Sequence, residues 1–167
     1  MTDQHSEHIS PTVSVLVSKD DRILLEKRQH SHGADTWGPP TGHLDFGETP
    51  EQTATRETFE ETGVTLSNVK FHAVTNDIFE NEHYHTVTIW MKADYQSGTP
   101  KVQAPDEESE VGWFAWDALP NPLYIPFANL LQGHTYPSPT SEDAIGQAIE
   151  ILHESPTPTI ENSEEKI

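Results

Sequence analysis

The chain has 167 residues and a formal net charge of −19, from 28 acidic and 9 basic residues, and this length predicts one domain with its own hydrophobic core. So few lysines and arginines argue against a nucleic-acid polymer as the main partner, because contacts to many phosphates need basic residues. Cysteine is absent, which excludes disulfides and thiolate chemistry, and the lack of a long apolar run or a signal-peptide pattern leads us to expect a cytoplasmic protein with no membrane partner.

Two strands joined by a turn are the first elements that the sequence predicts. Residues 1–11 are polar and are expected to be disordered, whereas 12–18 is β-branched and apolar. A second strand is expected over 22–27, after a turn at 19–21. Residues 31–40 are rich in turn formers.

A helix is predicted over residues 50–62. Thr49 can cap it, Pro50 suits the first helical position, and Gln52 stands where the second member of a capping box belongs. Gly63 is the residue expected to end the helix in a left-handed conformation.

Three glutamates share one face of this predicted helix. Glu57, Glu60 and Glu61 stand at i, i+3 and i+4, where like charges repel one another. A hard cation such as Mg²⁺ or Mn²⁺ is the simplest compensation. The alternative is a solvated acidic face. Arg56 lies one turn before Glu60 and can pair with it, but one arginine does not neutralise three carboxylates.

The rest of the chain alternates predicted strands and short helices. Strands are expected over 66–75, 84–93 and 111–115, short helices over 116–119 and 127–131, and an amphipathic helix over 141–153. The domain is therefore expected to span 12–153, followed by a flexible acidic tail over 154–167. Strands mixed with helices of different lengths favour an α/β sandwich.

The spacing around the helix at 50–62 resembles the Nudix box. The matching positions are Gly42, Glu48, Arg56, Glu57, Glu60, Glu61, Gly63 and Val64. Thr58 departs from the pattern, since the family usually has an aliphatic residue there. The likeness covers roughly residues 12 to 137 and extends to MutT-type enzymes, including plant and vertebrate members that act on guanine, oxidised-guanine or thiopurine nucleotides. It implies an α/β (α+β) Nudix fold, a mixed β-sheet sandwiched between helices.

The resemblance also implies a metal centre. Its cofactor would be Mg²⁺, with Mn²⁺ as an alternative, and its ligands would be Glu57, Glu60, Glu61 and the backbone carbonyl of Thr41. Glutamates of this trio or of a distal loop help to deprotonate water in the family, and the distal candidates here are Glu107 and Glu108. Structural roles fall to Gly42, Glu48, Arg56 and Gly63, with Glu48 tied to Arg56.

Thr41 is a second departure, because the family commonly has glycine before Gly42. A backbone carbonyl survives this replacement, so metal binding through it remains possible. Threonine disfavours positive φ, however, and the local backbone is expected to change.

Substrate-binding positions follow from the same resemblance. His43 would lie near the phosphates, and the purine would contact Thr88, Tyr124, Ile125, Pro126 and Phe127. Ordinary core packing is the alternative for Tyr124 and Phe127. His83 and His85 share a strand face but have no third ligand at a suitable spacing, which argues against zinc.

Together these observations predict a metal-dependent hydrolase of a nucleoside diphosphate linkage. The favoured reaction converts a purine (deoxy)nucleoside triphosphate to the monophosphate and pyrophosphate, with a small nucleotide as the partner. The alternatives are hydrolysis of ADP-ribose or dinucleoside polyphosphates, and a nucleotide-sensing domain without catalysis, which the three retained glutamates disfavour. The resemblance also implies a homodimer.

Overall fold

The computed structural model describes residues 9–30 and 32–138. The helix predicted over 141–153 and the tail over 154–167 lie outside these residues. The described chain forms β1 Ser10–Lys19, β2 Arg22–Arg28, β3 Trp37–Gly38, β4 Thr41–His43, α1 Pro50–Thr62, β5 Thr65–Phe79, a 3₁₀ turn Glu80–Glu82, β6 Tyr84–Ser97, β7 Glu108–Ala115, α2 Ile125–Leu131 and β8 Thr135–Tyr136.

The strands form one mixed sheet. Its order is β3-β2-β1-β6-β5-β8, while β4 pairs with β1 and β7 pairs with β2. Strands β1 and β6 run parallel, and the other paired strands are antiparallel. The predicted mixed sheet is therefore confirmed.

The two helices cover opposite faces of this sheet. Val13, Val15 and Val17 of β1 pack in one buried cluster with Ala54 of α1. Leu16 points the other way, because side chains alternate along a strand, and its cluster contains Phe127 and Leu130 of α2. The sheet is thus sandwiched between helices, as expected. Within the described residues no helix is long and apolar enough to span a bilayer.

Local signals set both ends of α1. The Thr49 hydroxyl accepts a hydrogen bond from the Gln52 N–H at 3.4 Å, and the Gln52 side chain accepts one from the Thr49 N–H at 2.8 Å. Gly63 has φ of 72° and donates its N–H to the Phe59 carbonyl at 2.9 Å. The predicted helix, its capping box and its glycine terminus are all confirmed.

Several boundaries differ from the prediction. β5 and β6 are longer than the expected 66–75 and 84–93, because they pair with each other along most of their length. β1 begins at Ser10, so residues 10 and 11, predicted to be disordered, belong to the sheet.

The short helix predicted over 116–119 is wrong. This segment is a single turn in which the Ala118 N–H reaches the Ala115 carbonyl at 3.0 Å. Two prolines, Pro120 and Pro122, follow closely and leave no room for further helical turns. α2 begins at Ile125, two residues before the predicted start.

Candidate active site

Arg56 is held beside α1 by a bidentate ion pair with Glu48. Its Nε and Nη2 atoms each donate to a carboxylate oxygen of Glu48 at 2.8 Å, and Thr53 adds a hydroxyl donor to the same carboxylate at 2.8 Å. These hydrogen bonds lower the pKa of Glu48 to about 2 and raise the pKa of Arg56. The pair therefore stays charged and fixes the guanidinium.

The same guanidinium reaches the acidic face of the helix. Its Nη1 donates to Glu57 at 2.7 Å and to Glu60 at 3.3 Å. Glu48 accepts from the other two nitrogens of this guanidinium, so the single positive charge of Arg56 leaves net negative charge on the face. Glu60 is the open member, with 58% of its side chain exposed, whereas Glu57 is only 14% exposed.

Glu57 lies against the backbone of Gly42 in β4. A Cβ atom at Gly42 would come within 1.9 Å of the Glu57 carboxyl carbon. Burial raises the pKa of Glu57, although the hydrogen bond from Arg56 opposes the shift. Glycine at this position therefore makes the space in which the Glu57 carboxylate rests.

Glu61 turns away from solvent and toward the sheet. It is 3% exposed and accepts a hydrogen bond from the Thr41 N–H at 3.2 Å. Thr41 lies in β4 with a negative φ, and its hydroxyl donates to the Pro39 carbonyl at 2.8 Å and contacts the Ser14 hydroxyl at 2.7 Å. Threonine thus fits this position without backbone strain.

Strand β2 contributes a further glutamate, which the sequence analysis missed. Glu26 of β2 is fully buried, and its carboxylate, that of Glu61 and that of Glu108 each place an oxygen within 4.8 Å of the other two. The alternation of side chains along β2 could have predicted this buried position, because Glu26 is two residues from Leu24 and shares its inward face. A charged residue at such an inward position is rarely without a partner.

The pairing of β2 with β7 brings Glu108 to this group. The register passes from Lys27 opposite Glu110 to Arg28 opposite Glu108, so that Ser109 is an extra residue in β7. Because side chains alternate along a strand, this bulge turns Glu108, rather than Ser109, toward the side of the sheet that carries Glu26.

The three carboxyl groups are electrostatically unfavourable as ions. Burial, reinforced by repulsion from neighbouring glutamates, raises the pKa of Glu26 to about 8, that of Glu108 to about 7 and that of Glu61 well above its usual value. Both oxygens of Glu26 and one of Glu108 have no hydrogen-bond partner in the described structure. A hard cation fits this all-oxygen group, since it would satisfy the unpaired atoms.

The other distal candidate, Glu107, stands at the rim of this group. It is exposed, its N–H donates to the Ala104 carbonyl at 2.8 Å, and its own carbonyl accepts from the Gln29 N–H at 2.6 Å. Backbone contacts therefore hold the turn before β7, and the structure brings Glu108 rather than Glu107 into the buried cluster.

The predicted substrate-binding residues are divided between surface and core. His43 is exposed at the end of β4, and its carbonyl accepts from Arg56 at 3.3 Å. Thr88 is fully buried and donates its hydroxyl to Asp77 at 2.6 Å. Asp77 is also buried and accepts from Asn129 of α2 at 2.8 Å.

The loop at the start of α2 is mostly buried. Tyr124, Pro126 and Phe127 are buried, and only Ile125 is exposed, at 38%. The Arg28 guanidinium lies 4.4 Å from the centre of the Tyr124 ring. In this structure Tyr124 and Phe127 are core residues, which is the packing alternative that the sequence left open.

Comparison with known proteins places this geometry in a family. The NUDIX domain family model matches residues 8–133. The chain belongs to the Nudix family. A MutT NUDIX hydrolase from Burkholderia pseudomallei has a similar structure, with 34% sequence identity and a TM-score of 0.69 over 73% of this chain and 95% of that one. The predicted Nudix family and fold are confirmed.

Other relatives of this Nudix protein carry narrower descriptions. The NAD-capped RNA hydrolase NudC of Enterobacter sp. (strain 638) is 34% identical over 119 residues, which are 71% of this chain and 43% of NudC. A bifunctional NMN adenylyltransferase/ADP ribose pyrophosphatase from Francisella tularensis, solved with AMP and a manganese ion, is 26% identical with a TM-score of 0.52 over 67% of this chain and 35% of that one. The chain spans less than half the length of the curated relatives it matches.

Proposed function

We propose that this Nudix protein is a divalent-metal-dependent pyrophosphohydrolase that converts a (deoxy)nucleoside triphosphate, with purines favoured, to the monophosphate and pyrophosphate. The observation that carries the proposal is the acidic face of α1, where Glu57 and Glu60 share the Arg56 guanidinium at 2.7 and 3.3 Å, while Glu57 lies against Gly42 and Glu61 accepts from the Thr41 N–H at 3.2 Å. The MutT NUDIX hydrolase supports the hydrolase activity, because its match covers nearly all of that protein at 34% identity.

The metal would be held by the carboxylates of α1. Glu57, Glu60 and Glu61 are the proposed ligands, joined by the Thr41 carbonyl, and the proposed ion is Mg²⁺ or Mn²⁺. Bound there, such an ion supplies a nucleophilic water and offsets the charge on the phosphoryl oxygens. Arg56 positions the first two glutamates through its hydrogen bonds at 2.7 and 3.3 Å.

The chain's own part in the reaction is to accept the proton of the attacking water. The water oxygen forms a new bond to phosphorus, the bridging phosphorus–oxygen bond breaks, and the products are the monophosphate and pyrophosphate. Glu107 and Glu108 are the two proposed acceptors. Glu108 lies beside Glu61, and the exposed Glu107 remains available to accept the proton when Glu108 holds an ion.

Substrate would bind with its phosphates near β4 and its base near α2. We assign His43 to the phosphates, since it is exposed next to Gly42. Ile125 offers an exposed apolar surface to the base, and Tyr124, Pro126 and Phe127 support it from the core. Thr88 would act through Asp77, which anchors α2 by its hydrogen bond with Asn129.

A second candidate is hydrolysis of a nucleoside diphosphate joined to another group, such as ADP-ribose or a dinucleoside polyphosphate. The relatives described as an ADP ribose pyrophosphatase and as NAD-capped RNA hydrolases favour it. The net charge of −19 disfavours a long RNA as the substrate, because it repels the polymer's phosphates.

A nucleotide panel with Mg²⁺, followed by separation of the products, tests the proposal. We expect pyrophosphate and monophosphate from purine triphosphates. Faster cleavage of ADP-ribose or of dinucleoside polyphosphates would favour the second candidate function over triphosphate hydrolysis. No turnover of any compound would favour a nucleotide-sensing domain without catalysis.

The wider assignments are proposals of the same kind. We propose that the protein is a cytoplasmic homodimer. Light scattering coupled to size exclusion measures the oligomeric state directly, and a monomeric mass would overturn the dimer.

A further inference from the structure

Glu26 is a buried carboxylate that has no hydrogen-bond donor when its neighbour Glu61 is ionised as well. It is 0% exposed in the middle of β2, and neither of its oxygens has a hydrogen-bond partner in the described part of the chain. Buried polar atoms in folded proteins are nearly always hydrogen-bonded, and an unpaired buried carboxylate is costly. Such a residue is retained when something else supplies the missing interaction.

The surroundings of Glu26 match those of a cation. Oxygens of Glu26, Glu61 and Glu108 lie within 4.8 Å of one another, and all three residues are buried. Oxygen ligands stand about 2.0–2.6 Å from Mg²⁺ or Ca²⁺, so that ligands on opposite sides of one ion are about 4–5 Å apart. The three carboxylates are therefore close enough to share one ion.

The positive charge of Arg28 does not balance the three carboxylates. Arg28 lowers the pKa of Glu26, Glu61 and Glu108 through its positive charge, while burial and mutual repulsion act more strongly to raise them. Its Nε donates to the His32 carbonyl at 3.0 Å, and its guanidinium stacks on Tyr124. One guanidinium would offset at most one of the three negative charges that Glu26, Glu61 and Glu108 carry when all of them are ionised.

We propose that Glu26 is an additional metal ligand and that Glu26, Glu61 and Glu108 form a buried site for a divalent cation. Glu61 links this site to the box glutamates on α1, whereas Glu26 and Glu108 come from the sheet. The inference concerns the same metal centre as the proposed function, but it does not require that the protein hydrolyse nucleotides.

The test measures Mn²⁺ binding to the full chain by calorimetry and by electron paramagnetic resonance. Glu26→Gln keeps the size of the side chain and removes its charge, so we expect Mn²⁺ affinity to fall by about tenfold or more. Glu110→Gln is the matched control. It makes the same chemical change on β7, where Glu110 is 58% exposed and pairs with Lys27 at 3.4 Å, and its Mn²⁺ affinity should stay within about twofold of wild type.

Two results would overturn the proposal. Unchanged Mn²⁺ binding in Glu26→Gln would show that Glu26 is not a ligand, and an equal loss in Glu110→Gln would show that only the overall charge matters. If circular dichroism shows that Glu26→Gln does not fold, Glu108→Gln is the second test. Unchanged Mn²⁺ binding in Glu108→Gln would show that the proposed site does not exist.

The same measurements separate this inference from the proposed function. Loss of Mn²⁺ binding in Glu26→Gln supports the buried site even if the nucleotide panel yields no product. Conversely, normal Mn²⁺ binding in Glu26→Gln together with active wild-type enzyme would overturn the inference and leave the proposed hydrolase intact.

Discussion

Gly42 has no side chain, and Glu57 fills the space that one would need. The Cβ of any other residue would lie 1.9 Å from the Glu57 carboxyl carbon, far inside van der Waals contact. Glu57 cannot simply retreat, because Arg56 holds its carboxylate at 2.7 Å. The absence of a side chain at Gly42 therefore determines the position of Glu57, a proposed metal ligand.

Gly42→Ala should therefore displace Glu57 and lower both Mn²⁺ affinity and hydrolysis, each by about tenfold or more. Calorimetry and steady-state kinetics measure the two effects. Gly112→Ala is the control, since its new Cβ would meet Phe114 at an ordinary 3.6 Å. Equal behaviour of the two variants would contradict the steric argument.

Glu60 is the most solvent-exposed of the three box glutamates, so its removal costs little in packing. Glu60→Gln should lower kcat by about a hundredfold or more while leaving the melting temperature near that of wild type. Glu51→Gln, an exposed change in the first turn of the same helix, should keep full activity. Near-normal turnover by Glu60→Gln would show that Glu60 is not a metal ligand.

The long β5–β6 pair carries a partly buried titratable group, His72. Burial of His72 in β5, aided by the charge of Lys92, lowers its pKa from 6.5 to about 4. The unfolded chain therefore binds a proton between these two values that the folded chain does not. Protonation of His72 in the unfolded chain therefore lowers the free energy of unfolding as the pH falls from about 6.5 to about 4.

His72→Gln should lose less stability than wild type over that pH interval. Urea unfolding of the metal-free protein at pH 7 and pH 4.5 measures the difference, and effects common to both proteins cancel. His134→Gln, on an exposed residue, should follow wild type. A larger acid loss in His72→Gln than in wild type would refute the assignment.

The whole molecule is strongly self-repelling. Its formal charge of −19 is spread over 167 residues, and the carboxyl groups counted in it include the buried cluster of Glu26, Glu61 and Glu108 as well as the acidic surface. Salt screens repulsion between exposed charges, whose Debye length is about 10 Å at 0.1 M, but it screens buried pairs far less.

Raising NaCl from low concentration to about 0.5 M should raise the melting temperature of the metal-free protein by several degrees. Mn²⁺ at millimolar concentration should stabilise it further at that salt, because a bound ion acts on the buried carboxylates that salt does not reach. Calorimetric melting measures both effects. Full stabilisation by NaCl alone, with nothing added by Mn²⁺, would argue against a specific ion.

The helix α1 and its box were predictable from the chain alone because their determinants are local. Thr49, Gln52 and Gly63 act on backbone groups within one turn of themselves, and the spacing of Glu57 and Glu61 sets their positions on the helix. The capping box and the metal-ligand candidates therefore did not depend on tertiary contacts.

Only the tertiary structure could join Glu26 to Glu108, which are 82 residues apart. Their meeting depends on the register of β2 with β7 and on one extra residue at Ser109, and a one-residue slip would have turned Glu108 to the other face. Burial of Tyr124 and Phe127 likewise depends on how α2 packs on the sheet. Helix caps depend on hydrogen bonds between nearby residues and can therefore be predicted from the sequence. Strand register and burial depend on contacts between segments that are distant in the chain.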